Sequence, residues 1–517
     1  SRDGSRRELE ESFAAPRTPV EKALAKIWAE VLNLDRVGSN DNFFELGGHS
    51  LKAMQLVSKI SRKMNIDCSV KLLFAHPTVS SLAAAIDNPD RSGPYPGGAR
   101  LETSRQGITE EPPPTASGWR ESSYITIERR PLLSLFAAGK IRPVDAAAIG
   151  YLPDAFTGYT GLTRAEILHD WYDELPTMAA ISEMFLGRIA TIVLPLFACE
   201  LYRRQDVLVR MLIEALEVAK RIGARMVSLT GLIPSATNYG QALGEALAGR
   251  DDLPRFTTGH ATTAAAMVLA IERILREAGR DLKQERMGFL GLGSIGLTVL
   301  RLMLRCLPHP KEIILCDVYS RHDSLCDIRE EITSAMGFHG LARVVESKQS
   351  VPAEFYDATF IVGATNVPEV IDIELVRPGT ILVDDSAPHC FSVERTLDRF
   401  QKQEDILFTA GGVLQLPQPI RRLRYLPRFV AKKANSQYLK AVHTPSPLQI
   451  GSCVLSGLLA ARFQELAPTV GPADLGSCIQ YRERLGDLEI QAAELHCRDF
   501  LLPEESVRDF GQRFGWK

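Results

Sequence analysis

Hydrophobic positions near the amino terminus recur every three or four residues, as on one face of a helix. The first such run consists of Val20, Leu24, Ile27, Trp28 and Val31. A second run with helical spacing extends over residues 51–64. The two runs predict a small all-α domain of four helices at residues 17–88. The stretch that follows, NPDRSGPYPGGARLETSRQGITEEPPPTASG, is rich in Pro, Gly and Ser, and residues 89–121 are therefore predicted to be a flexible linker.

The remainder of the chain has a different pattern, in which short apolar runs alternate with helical ones. The clearest runs are MGFLGLG (287–293), EIILCD (312–317), ATFIVGAT (358–365) and GTILVDDS (379–386). They predict a Rossmann-type, doubly wound parallel sheet at residues 284–415. Residues 122–283 are predicted to form a substrate-side α/β domain, and residues 416–517 a helix-rich region that completes the active site.

Composition excludes several classes of protein. The chain has 517 residues, 45% of them hydrophobic, and a net charge of -3, which gives no reason to expect nucleic acid or an acidic membrane as a partner. The longest apolar run, at residues 189–199, is shorter than the roughly 20 residues that cross a bilayer. The nine cysteines lack CxxC pairing and indicate reduced thiols in a cytoplasmic protein, with no metal site.

The strongest cofactor signal is the glycine motif at the end of the first apolar run. Gly291, Gly293 and Gly296 have the GxGxxG spacing that lets a backbone approach a pyrophosphate at a helix N-terminus. The intervening Ser294 and Ile295 belong to the same predicted site, as do Ala364 and Thr365 after a later strand. The alternative is that the glycines only pack a helix against a sheet.

Asp317 ends the second strand about 20 residues after the glycine motif, where an acid binds the ribose of NADH and repels a 2'-phosphate. Arg321, four residues later, could instead serve that phosphate. The predicted cofactor is therefore NADH or NADPH, with a slight preference for NADH.

The motif DNFFELGGHSL at residues 41–51 resembles that of peptidyl carrier domains of nonribosomal peptide synthetases. The resemblance implies that Ser50 carries 4'-phosphopantetheine, attached by a phosphopantetheinyl transferase. Gly47 and Gly48 allow a sharp turn before a helix, which would expose the Ser50 hydroxyl. The alternative is that Ser50 is only a helix N-cap. Upstream, SRRELEESFAAPRTPVE resembles the junction after an adenylation domain, which implies an upstream adenylation domain as a partner.

Residues 185–500 resemble the cyanobacterial type of long-chain acyl-(acyl carrier protein) reductase, most specifically in RFTTGHATTA at residues 255–264. The resemblance implies reduction of a carrier-bound acyl thioester to an aldehyde through a cysteine nucleophile, which falls on Cys453. Thr258 and His260 would line the pocket, and Gly411 and Gly412 would lie near oxyanion donors. That family prefers NADPH and lacks an acid at the position of Asp317, and a fatty substrate does not follow from a peptide-synthetase carrier.

The residues around the predicted nucleophile leave alternatives open. Ser446 and Pro447 predict a helix start that would place Cys453 in the second turn, although a cysteine on an apolar helix is more often inert core. Cys390 after a strand is the rival, and Cys199 is a weaker candidate. His260 is equally compatible with a capping or core role. A basic run either docks the phosphate of the arm or forms a solvated helix face; it consists of Arg421, Arg422, Arg424, Arg428, Lys432 and Lys433.

Three functions are compatible with these patterns. The first is reductive release of the carrier-bound acyl or aminoacyl group as an aldehyde, with NADH or NADPH as reductant. The second is a dehydrogenase that acts on the tethered group without breaking the thioester. The third is an inactive, reductase-like body on which the carrier docks. The intact glycine motif argues against the third function, and Cys453 favours the first over the second.

Overall fold

The computed structural model describes residues 14–32, 34, 36–43, 46, 56, 59–60, 63–64, 73, 76–87, 122–127, 136, 139, 141–318, 322–347, 350–435 and 447–516. The chain divides into two compact units, Ser1–Glu121 and Ser122–Lys517. The second unit is called the body below. The residues predicted to form a linker lie outside the described part.

The elements of the described residues are named in chain order. The strands are β1 (Ser122–Ile127), β2 (Ala146–Leu152), β3 (Thr177–Met184), β4 (Gly187–Phe197), β5 (Met226–Leu229), β6 (Arg255–Thr257), β7 (Arg286–Leu290), β8 (Glu312–Asp317), β9 (Leu341–Glu346), β10 (Phe360–Gly363), β11 (Thr380–Asp384), β12 (Ile406–Ala410), β13 (Val413–Gln415), β14 (Arg421–Pro427), β15 (Gln449–Gly451), β16 (Gln491–Ala492), β17 (His496–Cys497) and β18 (Phe500–Leu501). The α-helices are α1 (Pro19–Leu32), α2 (Val79–Asp87), α3 (Phe156–Thr160), α4 (Gln205–Arg221), α5 (Ile233–Ala236), α6 (Gln241–Ala246), α7 (His260–Glu277), α8 (Ser294–Cys306), α9 (His322–Ser334), α10 (Val393–Gln403), α11 (Arg428–Lys433), α12 (Ser452–Arg462), α13 (Leu475–Asp487) and α14 (Glu504–Phe514). A π-helix (Glu166–Trp171) and 3-10 turns at Ala198–Glu200, Leu282–Gln284 and Ala353–Asp357 complete the set.

The described part of the N-terminal unit is helical. Helix α1 begins with a capping box, in which the Thr18 hydroxyl accepts a hydrogen bond from the Glu21 amide at 3.1 Å and the Glu21 carboxylate accepts one from the Thr18 amide at 3.4 Å. Trp28 is fully buried and meets Phe43 edge-on, with 5.2 Å between ring centroids. The helix predicted near the amino terminus is confirmed, whereas most of the second predicted helix, at residues 51–64, lies outside the described residues.

The first sheet of the body has seven strands in the order β1-β14-β3-β4-β2-β5-β6. Strand β3 is antiparallel to both of its neighbours, and the other pairs run parallel. Strand β14 belongs to the C-terminal segment of the chain, so this sheet is completed from residues far along the sequence. The basic run is therefore not one helix face, because its first half is strand β14 and only Arg428–Lys433 is helical.

The second sheet has six strands in the order β12-β11-β10-β7-β8-β9, and every neighbouring pair is parallel. Strands β7, β8, β10 and β11 coincide with the four apolar runs, so the predicted parallel sheet is confirmed. Strands β8, β10 and β11 are buried along their whole length, as expected of a parallel sheet covered on both faces.

Helix α7 connects the two sheets of the body. Most of its residues are buried, because its sequence is apolar or small on almost every side. It contacts α8 and strands β11 and β12 of the second sheet, and it also contacts α12, which packs on β2 and β5 of the first sheet. The starts of α7, α8 and α12 can therefore meet in one place.

The C-terminal segment at residues 416–517 contains strands as well as the predicted helices. Strands β15, β13 and β16 form an antiparallel sheet, and β17 pairs with β18. Among the described residues, no helix combines the length and the apolar character needed to cross a membrane.

Candidate active site

The glycine motif forms a cradle at the end of β7. Gly291 has a φ of +88°, and a Cβ there would lie 2.6 Å from the Ala364 carbonyl oxygen. A Cβ on Gly296 would lie 2.0 Å from the Gly291 carbonyl oxygen, so both positions exclude any side chain. A Cβ on Gly293 would meet no atom within 4 Å. The first and third glycines thus shape the loop, and the second leaves open space in front of its backbone.

Helix α8 begins directly after this open space. Its N-cap is Gly293, which supplies no side-chain hydrogen bond to the first turn. The early backbone N–H groups of a helix have no partner within the helix, and they favour an anion. Ser294, Ile295 and Gly296 form the start of α8, as the predicted site requires.

The neighbouring strand ends hold the glycine loop in place. The Asp317 carboxylate, at the end of β8, accepts a hydrogen bond from the Leu292 amide at 3.1 Å, and Asp317 is almost fully buried. After β10, the Ala364 amide donates to the Leu290 carbonyl at 2.9 Å, and the Thr365 amide donates to the Ser386 hydroxyl at 3.0 Å. These predicted residues share one edge of the sheet, whereas Arg321 lies outside the described residues.

His260 connects the glycine loop to helix α7. It is the first residue of α7, and its Nδ1 lies 3.2 Å from the Ser294 hydroxyl at the start of α8. Burial lowers the pKa of His260 to about 4, so the imidazole is neutral at neutral pH. Thr258, also buried, is tied to the Thr469 carbonyl through its amide at 2.8 Å. His260 therefore contacts the glycine loop, and its role in lining the pocket stays a prediction.

The structure corrects the predicted helix start before Cys453. Residues 449–451 form strand β15, and helix α12 begins at Ser452 with Gly451 as its N-cap. Cys453 is therefore the second residue of the helix and not a residue of its second turn. Ser446 lies outside the described residues. A thiol in the first turn faces the positive end of the helix dipole, which favours the thiolate.

The starts of α12 and α7 pack backbone against backbone. Gly259, the N-cap of α7, has a φ of +73°, and a Cβ there would lie 3.0 Å from the Cys453 Cα. The Thr263 and Ser452 hydroxyls are hydrogen-bonded at 3.0 Å. Burial raises the pKa of the Cys453 thiol, and a hydrogen bond with the Gly231 backbone opposes that rise. Cys453 thus lies where the two sheets of the body meet.

A carboxyl group that sequence reasoning missed lies beside Cys453. Burial and the neighbouring Asp384 raise the pKa of Asp385, which follows β11, to about 7. The charge of Asp385 in turn raises the pKa of Cys453. A Cβ on Gly412 would lie 2.1 Å from Asp385 Oδ1. The only sequence signal for Asp385 is its place at the carboxyl end of a buried strand.

Gly411 and Gly412 lie close to Asp385 and Ser452, and the prediction that oxyanion donors lie near them stays a prediction. The Gly411 amide already donates to the Asp384 carbonyl at 3.0 Å. The Gly412 carbonyl accepts a hydrogen bond from the Ser452 amide at 2.9 Å, which fixes the start of α12. The glycine pair therefore positions Cys453 and makes room for Asp385.

Tyr151 is a second residue that the sequence did not reveal. Its hydroxyl accepts a hydrogen bond from the Leu232 amide at 3.1 Å, and a Cβ on Gly231 would lie 2.7 Å from it. Burial raises the pKa of Tyr151, and the nearby Cys453 acts in the same direction. Tyr151 is the last residue but one of β2, and Gly231 lies two residues after β5, so two parallel neighbouring strands of the first sheet position both.

The rival cysteines lie in other environments. Cys390 is buried beside Gly363 of β10, and burial, with help from the adjacent Asp384 carboxylate, raises its pKa well above the ordinary value. His389 forms an ion pair with Asp384 at 2.7 Å, and its Nε2 lies 3.8 Å from Cys497 Sγ. Burial and Asp154 raise the pKa of Cys199 to about 11. Of the three candidates, Cys453 is the one that lies in the first turn of an α-helix and against the start of α7.

Comparison with known proteins assigns the N-terminal unit. Residues 22–86 match the family model described as the phosphopantetheine attachment site. A stretch of 77 residues is 49% identical to surfactin synthase subunit 1 of Bacillus subtilis, and 81 residues are 44% identical to tyrocidine synthase 3 of Brevibacillus parabrevis. The N-terminal unit is a phosphopantetheine carrier domain of the nonribosomal peptide synthetase type.

The matches to this carrier domain extend over a small part of each protein. They cover 15% and 16% of the chain, and only 2% and 1% of the two synthases. A solution structure of a peptidyl carrier domain is 43% identical, covers 14% of the chain and 99% of its own, and has a TM-score of 0.14 over the whole chain. Ser50 falls inside the matched range, although it lies outside the described residues.

Proposed function

We propose that the body reduces an acyl or aminoacyl thioester held by the carrier domain to an aldehyde, with NADH or NADPH as reductant. One observation carries this proposal: Cys453 packs against the start of α7, and His260 at that start is 3.2 Å from Ser294 of the glycine loop. Cys453 contacts Gly259, the N-cap of α7, and the next residue, His260, contacts the glycine loop. The candidate nucleophile and the dinucleotide cradle therefore both meet the start of α7.

The cradle fits a dinucleotide on three counts. The six-stranded sheet that bears the cradle has the strand order usual for dinucleotide-binding sheets. The direction in which successive strands are added reverses at β7, next to the glycine loop. Gly293 leaves its backbone open, and the free end of α8 follows. Asp317 is at the strand end where an acid receives the ribose, although it also holds the Leu292 amide. When bound, a nicotinamide cofactor would supply the hydride for the reduction.

Cys453 performs the first step. Its thiolate attacks the carbonyl carbon of the thioester, the new carbon–sulfur bond forms, and the bond to the phosphopantetheine sulfur breaks. The released sulfur takes up a proton, and the acyl group remains on Cys453. After hydride delivery, the thiohemiacetal on Cys453 loses its hydroxyl proton and the carbon–sulfur bond breaks. The aldehyde leaves, and the protonated thiol is restored.

Asp385 is the residue we assign to proton transfer at Cys453. With a pKa near 7, it can hold a proton or release it at neutral pH, as general acid–base catalysis requires. The negative charge of Asp385 raises the pKa of Cys453, so Cys453 holds its proton more tightly when Asp385 is ionised. Loss of the Cys453 proton is therefore coupled to the charge of Asp385.

The carrier domain supplies the substrate in this proposal. A phosphopantetheinyl transferase would attach the arm at Ser50, and an adenylation domain would load it. The tether between carrier domain and body raises the effective concentration of the thioester, so a weak contact between the two suffices.

The decisive experiment is acyl transfer in the absence of reductant. Protein loaded at Ser50 and kept without NADH or NADPH should pass the acyl group to Cys453, because exchange between two thioesters needs no hydride. Peptide mapping by mass spectrometry would locate the group. In Cys453→Ala the acyl group should stay on the arm and aldehyde formation should fall by orders of magnitude.

Cys326→Ala is a suitable control, because Cys326 is a free thiol on α9 to which the proposal gives no role. It should transfer acyl groups and form aldehyde like the wild type. Full aldehyde formation by Cys453→Ala would refute covalent catalysis. Oxidation of the tethered group with the thioester intact would instead favour the dehydrogenase function.

A further inference from the structure

A cavity of about 530 Å³ adjoins Cys453 on the first sheet. Gly451 and Val454, on either side of the Ser452–Cys453 pair, line it, and a Cβ on Gly451 would lie 3.9 Å from Cys453 Sγ. Tyr151, whose pKa is raised in part by the nearby Cys453, lines the cavity as well. Cys453 itself does not line the cavity, but its neighbours Gly451 and Val454 do, so the space lies next to the segment that bears the candidate nucleophile.

One wall of the cavity is aromatic. Phe156, Tyr159, Trp171 and Tyr172 line it. The rings of Phe156 and Trp171 are 5.5 Å apart, and Trp171 stacks on Tyr172 with 5.2 Å between centroids. Such a wall would hold the hydrocarbon part of an acyl group through its apolar surface.

Strand β14 also lines the cavity, and this part of the lining is cationic. Arg422 and Arg424, two residues apart on one strand, point to the same face and both line the cavity. Their register partners on β3, Ser182 and Ala180, are small and also line it. Burial, and then the charge of Arg424, lower the pKa of Arg422 to about 10, so its guanidinium stays charged at neutral pH.

Two of these polar groups, Arg422 and Gln449, lack an anionic partner among the described residues. In the described part of the chain, no Asp or Glu carboxylate lies within ion-pair distance of Arg422, which donates to the Gln449 carbonyl. Gln449 lines the cavity, is only 4% exposed, and its Nε2 has no hydrogen-bond partner among the described residues. A half-buried cation without a carboxylate and a buried amide donor without an acceptor are both costly, and a bound anion would relieve both.

We propose that this cavity is the acyl pocket and that it selects an acyl group bearing a carboxylate, which Arg422 and Gln449 bind while the aromatic wall holds the chain. The assignment rests on the proposed reductase function. A purely hydrocarbon acyl group would leave the half-buried guanidinium beside apolar atoms, which disfavours it. Gln449 and Cys453 are four positions apart in the sequence, so their Cα atoms lie at most about 14 Å from each other.

The first test does not depend on catalysis. Full-length protein is labelled with two maleimides of equal length, one ending in a carboxylate and one in a methyl group, and peptide mapping reads the rate at Cys453. The acidic reagent should label Cys453 about tenfold faster, as one charge-assisted hydrogen bond predicts. Arg422→Gln should abolish this advantage and Arg422→Lys should keep part of it.

Arg210→Gln is the matched control, because Arg210 is an exposed residue of α4 that pairs with Glu214 of the same helix. It should label like the wild type. Equal melting temperatures of the Arg422 variants would show that they fold. If both reagents label wild-type Cys453 at the same rate, the anion pocket is refuted.

The second test uses the carrier domain loaded at Ser50 with a dicarboxylic acyl group or with the methyl ester of the same group. The free acid should be reduced with about tenfold higher kcat/KM, and Arg422→Gln should remove the difference. If Arg422→Gln slows both substrates equally, the guanidinium binds the phosphate of the arm and the substrate assignment is wrong. Selective labelling without reduction of either substrate would leave the pocket standing and overturn the reductase function.

Discussion

Substitution of Gly293 by alanine tests the dinucleotide cradle without disturbing the fold. The backbone of Gly293 has φ -73° and ψ -160°, an extended conformation open to alanine, and the added Cβ meets no protein atom within 4 Å. We expect the free energy of unfolding to change by less than about 1 kcal/mol. The methyl group would instead occupy the open space that faces the start of α8.

If the pyrophosphate of the cofactor fills that space, the methyl group must displace it or the loop. Inserting a methyl group into a packed interface costs about 1–3 kcal/mol, which corresponds to a roughly 5- to 150-fold weaker Kd. Titration of NADH or NADPH fluorescence would measure the Kd, and thermal melting of the free protein would measure stability. The expected result is weaker binding with an unchanged melting temperature.

Two further glycines provide the comparison. Gly296→Ala places a Cβ 2.0 Å from the Gly291 carbonyl, so it should lose both stability and cofactor binding. Gly486→Ala, within α13 and with nothing within 4 Å of the added Cβ, should leave binding unchanged and stabilise slightly. Unchanged cofactor affinity in Gly293→Ala would show that the open space does not receive the dinucleotide.

Three other substitutions test the site and its frame. Asp385→Asn removes the carboxylate that raises the pKa of Cys453. Iodoacetamide should therefore alkylate Cys453 faster at pH 7, while aldehyde formation slows. An unchanged alkylation rate would contradict the coupling between the two groups. Because the pKa of Asp385 is raised in the folded protein, the stability that protonated Asp385 contributes is lost as the pH rises from about 4 through about 7. Between pH 4 and pH 8 the melting temperature of Asp385→Asn should therefore rise relative to that of the wild type. Asp317→Ala should weaken NADH binding by about 1–3 kcal/mol and relatively favour NADPH, whereas a wild type that strongly prefers NADPH, with an unchanged variant, would refute the ribose role. Arg280→Met leaves the fully buried Glu285 carboxylate without its guanidinium at 2.8 Å, so urea denaturation should show a loss of about 3–5 kcal/mol, which the double variant with Glu285→Gln should largely restore.

Local patterns predicted the second sheet well. Strands β7, β8, β10 and β11 are continuous apolar runs because both faces of a parallel sheet are covered, and the glycine motif is read directly from spacing. The start of the helix that bears Cys453 was predicted too early because strand β15 pairs with β13, more than thirty residues away in the chain. Propensity at Ser446 and Pro447 cannot report such a distant pairing.

The substrate side of the site is hidden in the sequence for the same reason. Arg422, Arg424 and Leu426 line one cavity because they alternate along a strand, and that alternation is the signal that was read as a helix face. Their strand joins the first sheet only through β1 and β3, which lie hundreds of residues earlier. A site built from one loop and one helix turn, such as the glycine cradle, can therefore be predicted from a short motif. The proposed selectivity for an acyl group with a carboxylate depends instead on which strands become neighbours. It arises only when the fold brings the arginines, Gln449 and the aromatic wall together.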